Sequence, residues 1–169
     1  MNATLSLAVA IFLATLGSGR AETVQSTAVE AADRSAIVAC LRDSAQTPRA
    51  CIGSIAVACA RGSTERRGSP VACSRREAGV WRERLDLAVR VFGERLESGQ
   101  KGRFAALQQS WEGYAAQKCA FLSGLQPEAQ GLTVQAACEL QEAATRAIEV
   151  ERMLRRQTAP ASPRPRIER

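Results

Sequence analysis

Six cysteines and no histidine constrain this 169-residue chain more than any other feature. The cysteines are Cys40, Cys51, Cys59, Cys73, Cys119 and Cys138. They follow an N-terminal apolar run, Leu5–Leu16, and the small residues of Gly19-Arg20-Ala21. That order reads as a secretory signal over residues 1–21, cleaved after Ala21. A short run of this kind falls below the ~20 apolar residues of a bilayer span. An even cysteine count behind an export signal predicts disulfides in a periplasmic or secreted protein. Zinc ligation fails for want of His and of any Cys-x-x-Cys pair. A cysteine nucleophile would have no His base, and a Ser/His/Asp set is impossible. No metal, cofactor or phosphate-cradling glycine loop is expected.

Helical spacing narrows the pairing. Thr47-Pro48 reads as an N-cap with Pro at the first helical position, opening a short helix over 48–61. In such a helix Cys51 and Cys59 share a face but stand about 12 Å apart along it. A disulfide needs Cα atoms within about 7 Å. Of the fifteen pairings open to six cysteines, the expectation is Cys40–Cys51, Cys59–Cys73 and Cys119–Cys138.

The rest of the chain reads as helix. Aromatics make up 4% of it and strand-like runs are missing. Thr27–Glu30 fits a capping box before a first helix over 28–43. Ser69-Pro70 opens a long helix over 70–97, with Trp81, Leu85, Ala88, Val89, Phe92 and Leu96 on one face. Ser98-Gly99 reads as its stop. A fourth helix over 102–121 carries Phe104, Leu107, Trp111, Tyr114 or Ala115, and Lys118. Its segment 107–121 holds a Trp, a Tyr, a Cys and a Phe at helical spacing and is expected to be the packing centre. After a break at 123–127, with Gly131 and Thr133 as lead-in, a closing helix covers 134–156. The expected fold is an all-α, disulfide-stapled bundle centred on a long antiparallel helical hairpin. Its single domain spans 22–156: a cysteine-rich extension 28–69, the hairpin 70–121 and the closing helix 134–156.

Charge separates the body from its tail. Residues 22–151 balance 16 basic against 16 acidic side chains, whereas 152–169 hold six Arg and one Glu. Nucleic-acid binding would place the basic face within the fold, so it is not expected. Residues 157–169 are rich in Pro and Arg and read as an unpacked tail. Its Arg164, Arg166 and Arg169 either contact anionic lipid or wall polymer or only solubilise the end.

The ordered motifs Cys73–Glu77–Trp81, Leu85-Asp86, Gln108–Trp111–Cys119 and Cys138–Arg146 carry a family pattern. In these the segment from Cys73 to Leu154 resembles the lysozyme inhibitor LprI-like family of small exported bacterial proteins. The resemblance implies a non-enzymatic binding protein that blocks a lysozyme, or another glycan hydrolase, by covering its cleft. Cys51-Ile-Gly53 and Cys59 resemble the N-terminal extension of some members. The chain departs from the pattern where the family has Arg-Asp (Ala115-Ala116 here), Asn (Asp86), Tyr (Val89) and Thr (Ala143), and Gly131 stands for a longer Gly-Gly-Ser loop.

Each motif residue also has a plainer explanation. Trp81 and Trp111 at helical spacing are ordinary core residues or partner anchors. Gln108 and Arg146 make a structural hydrogen bond or a recognition patch. Glu77 is a general acid only if a second carboxylate stands near it. A neutral body gives no favourable steering toward a strongly basic lysozyme.

Overall fold

A computed structural model describes residues 31–43, 47–62 and 68–158. The expected signal segment with its cleavage at Ala21, the capping box at 27–30, and Arg164, Arg166 and Arg169 of the tail lie outside the described residues. Within them the chain is all-α with no strand: α1 (Ala31–Arg42), a 3-10 turn (Pro48–Cys51), α2 (Ser54–Arg61), α3 (Pro70–Glu94), α4 (Ser98–Gly124) and α5 (Glu128–Thr158). No described helix is long and apolar enough to cross a membrane.

The core forms where α3 lies along α5. Trp81, Val80, Ala144, Ala147 and Val150 are completely or almost completely buried, with Leu85, Ala88 and Leu140 close behind. Small residues on α5 explain the arrangement: Ala136, Ala143, Ala144 and Ala147 remove bulk and let the α3 backbone approach. α3 and α4 are joined by a tight turn and run as a hairpin, yet each packs chiefly on α5 rather than on the other. Near their turn they do meet, through an edge-to-face contact of Phe92 and Phe104 with ring centres 4.9 Å apart.

Three disulfides pin the elements: Cys40–Cys51, Cys59–Cys73 and Cys119–Cys138. The first ties α1 to the 3-10 turn, the second α2 to α3, the third α4 to α5. Two forked Arg–carboxylate pairs clamp α1 on α3. Arg76 grips the buried Asp33 at 2.6 and 2.9 Å, and Arg34 grips Glu83 at 2.7 and 3.0 Å. The exposed Glu83 carboxyl is held below its usual range by its hydrogen bond from Arg34.

Several helix limits differ from the sequence expectation. The helix expected over 48–61 is broken: Gly53, at φ 93°, separates the 3-10 turn from α2. Cys51 and Cys59 therefore do not share one helix face. α3 ends at Glu94 instead of 97. α4 begins at Ser98 rather than 102, and the Glu97 N–H donates to the Gln100 side chain in its first turn. α5 begins at Glu128 instead of 134, because the Pro127 carbonyl accepts from Gln130 and Gly131.

The stretch 107–121 is not the packing centre. Leu107, Tyr114 and Phe121 are exposed, and α4 buries only Phe104, Gln108 and Cys119. Apolar residues lie all around α4, so the inward face could not be chosen by period alone.

Gly68 sits against the Cys59–Cys73 bond. A Cβ there would stand 2.7 Å from one sulfur and 2.8 Å from the other. Gly68→Ala should cost roughly 1–3 kcal/mol by forcing a tightly packed region apart. Thermal unfolding of the oxidised protein measures it; an unchanged midpoint would show that the 68–70 backbone yields freely.

Candidate functional site

Two buried polar knots position the surface of interest. In the first, Glu77 of α3 is fully buried. Its carboxylate accepts from the Gly53 N–H at 2.7 Å, the Ala56 N–H at 2.8 Å and Trp81 Nε1–H at 3.0 Å. Gly53 is the N-cap of α2 and Ala56 its third residue. Glu77 thus supplies, from another helix, the capping acceptor that Gly53 cannot, where the helix dipole favours negative charge. With no exposure and both oxygens occupied, Glu77 has no access to a substrate. Trp81 is core.

In the second knot, Arg146 of α5 is buried and donates through Nε to Gln108 Oε1 at 2.7 Å, with Nη2 bonded to the same oxygen. Its Nη1 reaches Glu149 at 2.7 Å. The guanidinium lies 5.8 Å from the centre of the Trp111 ring. Trp111 is only partly buried, so the knot fixes one side of a ring whose other surroundings are open.

Those surroundings form a cleft of about 390 Å³ between α3, α4 and α5. Leu85, Ala143 and Cys119, all buried, lie among its lining, and Trp111 forms part of its α4 wall. Charged side chains complete it. Arg82 pairs with Glu139 at 3.4 Å, while Asp86 and Glu112 add two further carboxylates. Glu142 pairs with Lys118 at 2.6 Å, and that hydrogen bond raises the Lys118 pKa above the ordinary lysine value. Four carboxylates thus face two cations, and the cleft carries a local negative excess that the balanced body does not show.

Leu85 and Trp111 therefore meet in the cleft, Gln108 and Arg146 stand behind it, and Glu77 and Trp81 lie elsewhere. Sequence reasoning missed Arg82, Glu112, Glu139 and Glu142. Their only signal was helical offset: 82, 85 and 86 share one face of α3, as 112, 115, 116 and 119 do on α4 and 139, 142 and 143 on α5. Asp86, Ala115, Ala116 and Ala143 line the cleft, and Val89 lines the adjoining α3–α4 groove. Among the described residues no group of His, Cys, Asp and Glu is placed to hold a metal ion.

Fold and site together define a disulfide-pinned helical bundle with an apolar, negatively charged cleft between its three long helices. Residues 59–150, more than half of the chain, match the profile of the family described as Lysozyme inhibitor LprI, and the chain belongs to that family. No curated protein and no solved structure matches it.

Proposed function

We propose that this protein is an exported lysozyme inhibitor that acts without chemistry, by docking the α3–α4–α5 cleft over a basic glycan hydrolase. Membership of the inhibitor family over residues 59–150 is the observation that carries this role. Export is supported by the apolar run before Ala21 and by three disulfides, which belong to oxidising compartments. The mature domain is proposed to span 22–156, followed by a basic tail.

The cleft suits such a partner in two ways. Its apolar lining and partly open Trp111 ring offer an anchor of the kind that dominates interfaces. Its excess carboxylates attract a cationic hydrolase that the neutral body would not steer. Inhibition is then steric, and the pinned helices limit the ordering cost of binding.

The test is turbidity clearing by several lysozymes, with and without the oxidised mature protein. Inhibition at micromolar protein is expected. Asp86→Arg with Glu112→Arg should weaken it about tenfold or more while helicity and thermal midpoint stay unchanged. Undiminished inhibition by the double variant would remove the cleft as the docking site. Absence of inhibition by the unmodified protein toward every lysozyme would remove the function.

A further inference from the structure

α4 presents a second surface, on roughly the opposite edge of the helix from Glu112 and Ala116. Leu107, Tyr114, Phe121 and Leu125 are 51%, 58%, 66% and 61% exposed. The first three are spaced by seven residues, and Leu125 follows four later, so all four fall on one stripe. In a chain that is 24% charged, only Glu112 and Lys118 carry charge between Arg103 and Glu128. Glu112 lines the cleft, and Lys118 is matched by Glu142 while its ammonium lies 5.8 Å from the Tyr114 ring centre. The stripe is therefore apolar, uncharged in effect and, apart from Lys118 beside Tyr114, uncovered within the described residues.

We propose that this stripe is a self-association surface, on which a second copy of the chain docks with its α4 antiparallel across a two-fold axis at Tyr114. Three observations select a second copy over another partner. Three of its four residues are symmetric about Tyr114: Leu107 lies seven residues before it and Phe121 seven after, so each Leu107 meets the other copy's Phe121, as a two-fold contact requires, while Leu125 packs along the stem of the other copy's Arg103. The ends are complementary in charge. Lys101 and Arg103, set against the N-cap Glu97, leave one end of α4 net positive, Glu128 stands just past the other, and the antiparallel arrangement brings opposite ends together. The area suffices: eight large side chains, each more than half exposed, at roughly 100–150 Å² apiece approach the ~1,000 Å² at which specific interfaces begin. Small residues beside the stripe, Ala106, Ser110 and Gly113, leave room for the helices to approach.

Sedimentation equilibrium of the oxidised full chain should return a dimer at micromolar concentration. Tyr114→Glu places two like charges on the axis and should raise the dissociation constant on the order of tenfold or more, with helicity unchanged. Position 114 meets itself, so Tyr114→Cys should give a spontaneous disulfide-linked dimer. Leu107→Cys alone should not, but should link to Phe121→Cys when the two variants are mixed. A chain that stays monomeric at high micromolar concentration would overturn the proposal. So would Leu107→Cys linking to itself as readily as Tyr114→Cys. If Tyr114→Glu instead abolishes lysozyme inhibition in a monomeric protein, the face takes the hydrolase and self-association is rejected. A chain that is simply monomeric leaves the cleft-docked inhibitor untouched, because Glu112 lies on the other edge of α4 and Asp86 on α3, whereas the loss of inhibition in monomeric Tyr114→Glu would move the docking site itself.

Discussion

Reduction of all three disulfides under otherwise native conditions is expected to unfold this protein or leave it barely stable. The bonds close sequence separations of 11, 14 and 19 residues. In the chain-entropy description each such loop is worth about 3 kcal/mol. Three together rival the ~5–15 kcal/mol total of a typical domain. The effect should be uneven. α1 has little apolar anchorage beyond Ile37 and depends on Cys40–Cys51 and two Arg–carboxylate pairs, so it should detach first. α3 and α5 share the deepest packing and should hold longest. Circular dichroism and hydrogen exchange on oxidised and phosphine-reduced protein measure this. A reduced protein that melts within about 5 °C of the oxidised form would mean that the helices need no staples.

Removal of the Glu77 carboxylate should be the most damaging single substitution outside the cysteines. Glu77→Leu leaves the N–H groups of Gly53 and Ala56 and the Trp81 indole N–H without their acceptor, all facing a buried site. Stranding buried donors costs about 1–3 kcal/mol each when nothing replaces the acceptor. After relaxation a loss of about 3–5 kcal/mol is expected. Glu77→Gln keeps one acceptor but turns an amide N–H₂ toward other donors, so about 2 kcal/mol should be lost. Guanidinium unfolding of the oxidised variants checks both. If Glu77→Leu matches the parent, the carboxylate is dispensable and α2 is held by Cys59–Cys73 alone.

How far the sequence could be read follows from the range of each interaction. On α3 one strong 3–4 spacing of Trp81, Leu85, Ala88 and Phe92 pointed to the buried face, and Ser69-Pro70 marked its start. There local pattern and tertiary packing agree. α4 lacks that agreement. Its large apolar residues point several ways, and the buried set includes Gln108, which no hydropathy scale would choose. The break at Gly53 was hidden because Cys51, Ile55 and Cys59 fit an unbroken helical period, and because the capping acceptor is 24 residues away on α3. Ser98-Gly99 read as the stop of α3, but α4 begins at Ser98, where the tertiary setting overrides glycine's weak helix preference. Leu85 and Trp111 were visible as motif residues. The cleft was not, since a cavity depends on how three helices diverge.

Every disulfide joins a cysteine to the next one along the chain: first with second, third with fourth, fifth with sixth. A polypeptide delivered through a translocon N-terminus first would expose its thiols in that same order. Linking each newly arrived sulfur to the one still waiting then yields the correct set. In that order of arrival, pairing by nearest neighbour would call for an oxidant and for no reshuffling of mismatched bonds.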